Sequence, residues 1–306
     1  MAISIEMIKQ LRGMTGAGIN ECKKALAECN EDIDAAVEFL REKGAATAVK
    51  KAGRIAAEGI VKVVVKDDKQ AVITEINSET DFVAKNEKFT SFADDVVEQI
   101  FASNAADVDA LLEEPYVKDG SRTLKQELDS RIGVIGEKIS LRRFEKLETD
   151  GVFVSYIHLG GKIGVLVEAT ADEINDDVKT ALKNVAMQIA ALNPKFASKD
   201  YIDPDFIAHE KEVLLAQINN DPAESSKPEK VKEGMINGRI NKELKEICLL
   251  EQVYVRAEDG KQTVGAYLKS LSGNVVLKSF KRYETGEGIE KKQENFAEEV
   301  MKQING

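Results

Sequence analysis

The chain contains the same order of patterns twice, a pair of alternating strands followed by an amphipathic helix. The first strand pair flanks Asp67-Asp68-Lys69 and the second flanks Gly160-Gly161, both typical of hairpin turns. The second helix ends at Asn193-Pro194. The periodic residues are Val61, Val63, Val65, Val72, Thr74, Ile76, Phe89, Phe92, Val96 and Ile100 in the first copy, and Val152, Val154, Tyr156, Ile163, Val165, Val167, Val178, Leu182, Val185, Ile189 and Leu192 in the second. This order predicts an α+β fold with two related subdomains and antiparallel sheets.

A polar turn joins the strands of the first copy to their helix. Residues 77–81 read Asn-Ser-Glu-Thr-Asp, types that bond their own backbone and form turns and helix caps. One interpretation is a turn capped by Thr80 or Asp81, with Phe82 folded into the core. The other is that Phe82 stays exposed at the tip, as aromatic residues that enter a partner do. The residues alone leave both open.

Residues 1–56 carry three short helical patterns separated by a glycine-rich turn and an acidic one. In the third pattern Asn30 is the candidate N-cap and Gly44 the candidate C′ glycine, and a basic, alanine-rich linker is expected after it. The apolar stripes are Ile8, Leu11, Cys22, Ala25, Leu26, Cys29, Ile33, Ala36, Val37 and Leu40. The arrangement predicts a three-helix bundle that resembles the ubiquitin-associated type.

Residues 205–249 differ in character from the rest of the chain. Two charged helical patterns flank the polar loop 219–228, and each carries a narrow apolar seam. The pattern predicts an antiparallel helical hairpin that projects from the body; two solvated helices lying on a sheet are the alternative. The seam residues are Phe206, Val213, Leu214, Ile236, Ile240, Leu244 and Ile247.

The remaining segments complete a division into five parts. Residues 104–131 are polar and helical with a break at Pro115, residues 140–144 and 275–279 are strand-like, and Phe296 marks a last helix. The predicted parts are 1–56, the bundle and linker; 57–150, the first subdomain; 151–204, the start of the second; 205–249, the helical hairpin; and 250–306, the end of the second subdomain with a C-terminal helix.

Composition excludes several classes of function. The net charge of −11 argues against a nucleic-acid-binding protein, because such binding depends on neutralising phosphates. No apolar run approaches the roughly 20 residues that span a bilayer, and residues 1–4 lack the start of a signal peptide. Cys22, Cys29 and Cys248 have no zinc-ligand spacing. We therefore expect a cytoplasmic protein without a metal site, and without nucleic acid or membrane as partners.

The motifs of nucleotide and catalytic sites are also missing. Gly16-Ala17-Gly18 follows a helical pattern rather than a strand, unlike a dinucleotide-binding turn, and Gly161-Lys162 is followed by isoleucine instead of serine or threonine. His158 and His209 have no nucleophile in a recognisable motif. The sequence predicts a binding protein rather than an enzyme, with no cofactor.

Several motifs resemble those of the bacterial elongation factor Ts family, whose members are the guanine-nucleotide exchange factors of elongation factor Tu. They run in the same order over essentially the whole chain. The segments that carry the resemblance are 11–26 (Leu-Arg-x-x-Thr-Gly-Ala-Gly-x-x-x-Cys-Lys-Lys-Ala-Leu), 77–86 (around Thr-Asp-Phe-Val), 160–167 (Gly-Gly-Lys-Ile-Gly-Val-Leu-Val), 187–191, 286–288 and 295–300. One departure is Gln188, which stands where the best-known members carry histidine.

The resemblance implies a mechanism and a set of contact residues. The factor binds elongation factor Tu in its GDP-bound and nucleotide-free forms, and a short turn pushes at helices beside the bound Mg²⁺. Loss of the ion removes charge neutralisation from the diphosphate, so that GDP leaves and GTP can bind. The residues implied in the turn are Thr80, Asp81, Phe82 and Val83. Arg12 and Lys23 would contact the GTPase domain of the partner, and Ile163 and Gly164 would contact a more distant domain of it.

The alternative function belongs to another class. The three-helix bundle by itself is compatible with a ubiquitin-associated or ribosome-associated scaffold that binds a protein without any effect on nucleotide release.

Overall fold

The computed structural model describes residues 3–290, and its helices and strands form a layered α+β structure. The strands are β1 (Glu58–Lys66), β2 (Gln70–Ser78), β3 (Pro115–Tyr116), β4 (Asp119–Thr123), β5 (Ile139–Glu148), β6 (Val152–His158), β7 (Ile163–Thr170) and β8 (Val276–Glu284). The α-helices are α1 (Ile5–Thr15), α2 (Ile19–Glu28), α3 (Ile33–Lys51), α4 (Asp81–Ala84), α5 (Glu87–Ala102), α6 (Val108–Glu113), α7 (Leu124–Ile135), α8 (Asp176–Leu192), α9 (Pro204–Asn220), α10 (Glu229–Ile247) and α11 (Val264–Ser270).

Two antiparallel sheets form the centre of the molecule, as predicted. One has the order β1-β2-β5 and the other the order β6-β7-β8. Their facing sides share a cluster of buried residues, and the outer side of the first sheet is covered by α5 and α7, that of the second by α8. The cluster between the sheets consists of Val61, Val63, Ala71, Ile73, Phe153, Leu166 and Tyr283. Alternate strand residues thus point into different cores, which is the physical origin of the alternating sequence pattern.

The two hairpin turns lie where the sequence predicts them. Asp67 and Asp68 have φ of 50° and 60°, the left-handed pair at the centre of a type I′ turn, which the N–H of Lys69 closes on the carbonyl oxygen of Lys66 at 3.0 Å. In the second hairpin the positive φ values fall on Leu159, Gly160 and Gly161. A Cβ on Gly161 would stand 2.4 Å from Ile60 Cγ1. Glycine is therefore needed there for both the backbone angle and the close approach of the first sheet.

The third helix is longer than predicted. Asp32 is its N-cap, accepting from Ala35 N–H at 3.0 Å, and Asn30 lies in the preceding turn with φ of 51°. The helix continues through Gly44 to Lys51, so the predicted C′ role of Gly44 is wrong, and the linker is shorter than predicted because Lys50 and Lys51 belong to the helix. Gly44 faces another helix instead, which explains a glycine inside a helix without any break in it.

The polar region after α5 is helical with a break at Pro115, as predicted, but the break contains a short strand pair that was not predicted. Pro115 begins strand β3, which pairs with β4 before α7 starts. Thr123 caps α7 in a capping box with Gln126, each side chain bonded to the other's backbone N–H. Polar, turn-rich strands of two and five residues give no clear alternation, which is why the sequence did not predict this strand pair.

Helices α9 and α10 form a hairpin, with a seam partly different from the prediction. Leu214 on α9 and Ile236, Ile240 and Leu244 on α10 are seam residues as expected. Helix α9 also contributes Ile207 and Ile218, whereas Ile247 is not part of this cluster. Phe206 instead packs edge-on against Phe196, with ring centroids 5.6 Å apart, and Val213 is exposed. The predicted last helix around Phe296 lies outside the described residues.

A buried carboxylate joins the first sheet to the end of the second. Glu75 on β2 is fully buried and accepts from Arg142 Nη1 at 2.9 Å, Arg143 Nε at 2.7 Å and the backbone N–H of Gly286 at 2.8 Å. Burial by itself raises the pKa of Glu75, but the bonds from Gly286, Arg142 and Asn77, with the charge of Arg143, outweigh it and lower the pKa. The carboxylate is therefore charged at neutral pH.

Candidate partner-binding site

The turn at residues 80–83 places its two apolar residues on opposite sides. Thr80 is the N-cap of α4, and its Oγ1 accepts from Val83 N–H at 3.3 Å, so the predicted cap is confirmed. Val83 packs against the core of the first subdomain, whereas the side chain of Phe82 is 82% exposed. The interpretation that folds Phe82 into the core is wrong. The helix is one turn long, and that turn directs an aromatic ring into solvent.

The chain around Thr80 is fixed by the loop that follows α7. Thr80 donates its backbone N–H to Glu137 Oε2 at 3.0 Å and its hydroxyl to Glu137 Oε1 at 2.7 Å. In return, Glu79 Oε1 accepts the backbone N–H of Lys138 at 2.6 Å. Sequence reasoning missed this pairing, because its partners lie far apart in the chain. Gly136, the left-handed C-cap of α7, marks the helix end just before Glu137, but no local pattern points to Thr80.

Asp81 lies in an exposed, positively charged setting. It pairs with Lys85 one turn later, with Oδ2 and Nζ 2.8 Å apart. The pKa of Asp81 is lowered, chiefly by this bond to Lys85, with smaller effects from the charges of Lys85 and Lys162. Lys162 belongs to the loop between β6 and β7, and it also pairs with Glu58 at the start of β1. The tip of the second subdomain therefore lies near the turn at residues 80–83.

The glycine-rich turn of the bundle meets the same region from another side. Lys88, in the first turn of α5, donates from Nζ to the carbonyl oxygen of Gly16 at 2.9 Å. Arg12 and Lys23, on α1 and α2, are both exposed. Met14 and Ile19, which flank the glycine-rich turn, are exposed apolar residues that sequence reasoning did not single out. The bundle thus presents basic and apolar side chains close to α5.

Ile163 and Gly164 are in different environments. Ile163 is half-buried, but Gly164 is buried between the sheets. A Cβ on Gly164 would stand 2.5 Å from Val61 Cγ1 and 2.7 Å from Val63 Cγ2. The missing side chain of Gly164 lets the two sheets approach, and Ile163 supplies the accessible side chain of this pair. The contact of both residues with a partner stays a prediction.

Gln188 is a fully buried residue of α8. Its Nε2 donates to Gln252 Oε1 and to the carbonyl oxygen of Val253, both at 3.1 Å, and its Oε1 accepts from Val255 N–H at 3.0 Å. Val253 and Val255 are themselves exposed. The Gln188 side chain therefore holds the segment 252–255 from its buried side, and Gln188 itself does not reach the surface of the free protein.

A cleft of about 830 Å³ separates the bundle from the first subdomain along one side. Arg41, Arg122 and Arg131 line it, with the buried Glu127 between the last two. Gly44 and Gly133 also line the cleft. The cleft therefore runs beside the place where α3 meets α7.

The described residues show little that is suited to covalent chemistry. Between residues 3 and 290 no group of three His, Cys, Asp or Glu side chains could hold a metal ion. No helix of that range has the length and apolar character to cross a membrane. Burial raises the pKa of the Cys22 and Cys248 thiols, which makes them poor nucleophiles. His158 is bonded to the hydroxyl of Tyr156 at 2.9 Å.

Comparison with known proteins gives consistent, full-length matches. The family model described as "Elongation factor TS" matches residues 79–287. Elongation factor Ts of Halothermothrix orenii is 48% identical over 306 residues, covering 100% of this chain and 99% of that protein. The Clostridioides difficile protein of the same name is 48% identical over 305 residues, and that of Clostridium botulinum (strain Langeland) 47% over 309, each covering 99% of both chains.

These matches confirm the predicted function over the scaffold alternative. The family consists of exchange factors rather than catalytic enzymes, and its members act in translation in the bacterial cytoplasm. Identity at this level over the whole length establishes homology of the complete chain. The chain belongs to the elongation factor Ts family, the nucleotide exchange factors of elongation factor Tu in translation elongation.

Proposed function

We propose that the turn at residues 80–83 is the element that disturbs the Mg²⁺ site of elongation factor Tu. The observation that carries this proposal is the 82% exposure of Phe82 on a helix of four residues. Thr80, Asp81 and Val83 shape the turn, and Phe82 enters the partner beside the ion. Displacing Mg²⁺ leaves the diphosphate charge without its counter-ion, so GDP dissociates and GTP takes its place.

The size of the phenylalanine side chain makes this physically reasonable. A fully buried phenylalanine removes about 150–250 Å² from water. At about 25 cal/mol per Å², this burial is worth ~4–6 kcal/mol at most. Each ~1.4 kcal/mol applied to the barrier accelerates release about tenfold. A single inserted ring is therefore sufficient for a large change in rate, provided that other contacts hold the two proteins in register.

The factor binds both the GDP-bound and the nucleotide-free forms of its partner, more weakly the former. Linkage requires this difference, because a factor that weakens nucleotide binding is itself weakened by nucleotide to the same degree. Nucleic acid and membrane are not partners in this proposal, which the net charge of −11 supports.

The three N-terminal helices, a bundle of ubiquitin-associated type, dock on the GTPase domain. Arg12 and Lys23 are exposed on that bundle and make the contacts, and the segment of Ile163 and Gly164 touches a more distant domain. The glycine-rich turn, tied to α5 through Lys88 and Gly16, keeps the docking helices close to Phe82. Docking and insertion then act from one side of the molecule.

We further propose a division of labour along the chain. Residues 1–56 serve for docking, although α3 extends into the first subdomain; residues 57–150 carry the exchange turn. Residues 151–204 and 250–306 form a related second subdomain, and the hairpin at residues 205–249 projects from it and is peripheral to exchange. The seam of that hairpin is narrow and its outer faces are charged, which supports a projection.

Release of a fluorescent GDP analogue from elongation factor Tu tests the role of Mg²⁺. With Mg²⁺ present, the chain should accelerate release strongly. With a chelator in excess the ion is already absent, so the chain should add much less. An equal acceleration in both conditions would show that the factor acts by another route.

A further inference from the structure

Helix α4 requires an external support. It comprises four residues, one helical turn, and a helix this short is not stable by itself in water. Its N-cap Thr80 is also the residue that sets the direction in which Phe82 leaves the chain. Val83 and Ala84 pack against the core at one end of the turn, and the contacts of Thr80 hold the other end, so both help to keep the ring in one orientation before the partner arrives.

Glu137 holds Thr80 through both of its oxygens. The carboxylate accepts the Thr80 hydroxyl at 2.7 Å and the Thr80 backbone N–H at 3.0 Å. Two bonds from one residue to one carboxylate fix its backbone and its side-chain rotamer together, and both are strengthened by the charge. The hydroxyl then accepts from Val83 N–H, which transmits the constraint to the first turn of α4.

A hydrogen bond in the opposite direction, from the loop after α7 to Glu79, also joins that loop to the turn. Glu79 accepts the backbone N–H of Lys138 at 2.6 Å, so two adjacent residues on each side are joined reciprocally. The chain segment that supplies Glu137 is anchored at one end by α7 and at the other by β5 in the first sheet. The turn at residues 80–83 is thus attached to a rigid part of the core.

We propose that Glu137 is a positioning residue of nucleotide exchange, which acts on the partner only through the orientation of Phe82. This inference rests on the proposed role of the turn at residues 80–83. Glu137 reduces the conformational freedom that insertion of Phe82 must otherwise remove, the general advantage of a preorganised binding element. Its loss leaves the apolar ring in place but makes its productive orientation one of several.

The expected kinetic signature is a loss in kcat rather than in KM. Glu137→Ala should slow GDP release at saturating factor about tenfold, within the range expected for residues of one hydrogen-bond network. Glu137→Gln keeps one acceptor oxygen but turns an amide NH₂ toward a donor. Its rate of GDP release should therefore lie between those of the unaltered chain and Glu137→Ala. Glu113→Ala, an exposed glutamate at the end of α6, is the matched control and should exchange like the unaltered chain.

A double-mutant cycle with Phe82→Ala tests whether Glu137 acts only through Phe82. If Glu137 acts only through Phe82, adding Glu137→Ala to Phe82→Ala should slow release by less than twofold further. Multiplication of the two single effects would overturn the proposal, because Glu137 would then contribute by itself. Normal exchange by Glu137→Ala beside a slow Phe82→Ala would overturn it too, whereas normal exchange by Phe82→Ala would overturn the proposed function instead.

Thermal melting of the same variants separates positioning from folding. Both Glu137 variants should melt cooperatively, and their GDP release should be slow at temperatures where they are fully folded. If Glu137→Ala unfolds at the assay temperature, Glu137→Gln replaces it in the cycle. A rate loss in Glu137→Gln that simply follows its unfolded fraction contradicts the positioning role.

Discussion

Gly44 and Gly133 lie in direct backbone contact where α3 crosses α7. A Cβ built on Gly133 would stand 2.8 Å from the Cα of Gly44, and one built on Gly44 would stand 3.1 Å from the carbonyl oxygen of Asp129. Helix α3 therefore belongs to two parts of the molecule. Its first half packs in the bundle through Ala36, and its second half contributes Ala48 to the core of the first subdomain. The crossing sets where the bundle lies relative to the body.

Enlarging this crossing by one methyl group should disturb it. Gly133→Ala should destabilise the protein by about 1–3 kcal/mol, the usual cost of overpacking between backbones that cannot yield. Gly234→Ala on α10 is the control, because nothing lies within 4 Å of its added Cβ, and it should be neutral or stabilising by up to about 1 kcal/mol. Denaturant unfolding of both variants measures the difference, and equal stabilities would refute the tight crossing.

The double membership of α3 also predicts how the chain tolerates truncation. A chain that starts at residue 57 lacks α3 and exposes the surface of α7 that α3 covers, so it should melt at a lower temperature. A chain that starts at residue 32 keeps α3 and its N-cap Asp32, and should melt closer to the complete protein. Thermal melting of the two truncations compares them; identical melting temperatures would mean that α3 adds nothing to the core.

Local patterns predicted the parts of the fold that depend on near neighbours. The alternation around Asp67-Asp68 and Gly160-Gly161, the stripe that ends at Asn193 and the cap at Thr80 are set by residues a few positions apart, and each is present in the structure. The family motifs likewise led to the correct function. In the candidate site, the exposure of Phe82 was one of two interpretations that the sequence allowed.

Features that depend on distant residues were not predictable. The sequence around Gly44 looks like a helix end, because nothing nearby reveals that Gly133 needs the space. The same holds for Gly164, because nothing in its own motif shows that Val61 and Val63 occupy the space beside it. Glu137, the support of Thr80, carries no local signal of its role.

The buried carboxylate of Glu75 should make stability depend on pH. Glu75→Gln leaves Arg142 and Arg143 without their shared charge partner and should cost about 3–5 kcal/mol at pH 7. Because the folded pKa of Glu75 lies below its ordinary value of 4.5, its contribution is full above that value and declines as the pH falls through the folded pKa.

Unfolding of both proteins in denaturant between pH 7 and pH 3 measures this dependence. The gap in the free energy of unfolding between the unaltered chain and Glu75→Gln should narrow at the acid end. A gap that stays constant across the range contradicts a charged Glu75 in the folded protein.

The helical hairpin should be dispensable for exchange. Its seam is made by its own two helices, so residues 209–243 can be replaced by a short Gly-Ser link without opening either core. The replacement retains Phe206, which packs on Phe196, and Ile247, whose carbonyl accepts from the backbone N–H of Lys195 at 2.8 Å. Stimulated GDP release should stay within a few-fold of normal. Loss of cooperative melting would show that the hairpin is part of the body.

The most direct test of the account is Phe82→Ala, examined by thermal melting and by stimulated release of fluorescent GDP. Because the ring is exposed in the free protein, the substitution should barely change the melting temperature, unlike the roughly 3–5 kcal/mol lost when a core phenylalanine is truncated. Release from elongation factor Tu should slow by about one order of magnitude or more, since the lost burial occurs only in the complex. A strongly destabilised variant, or a stable one that exchanges normally, would contradict the insertion of Phe82.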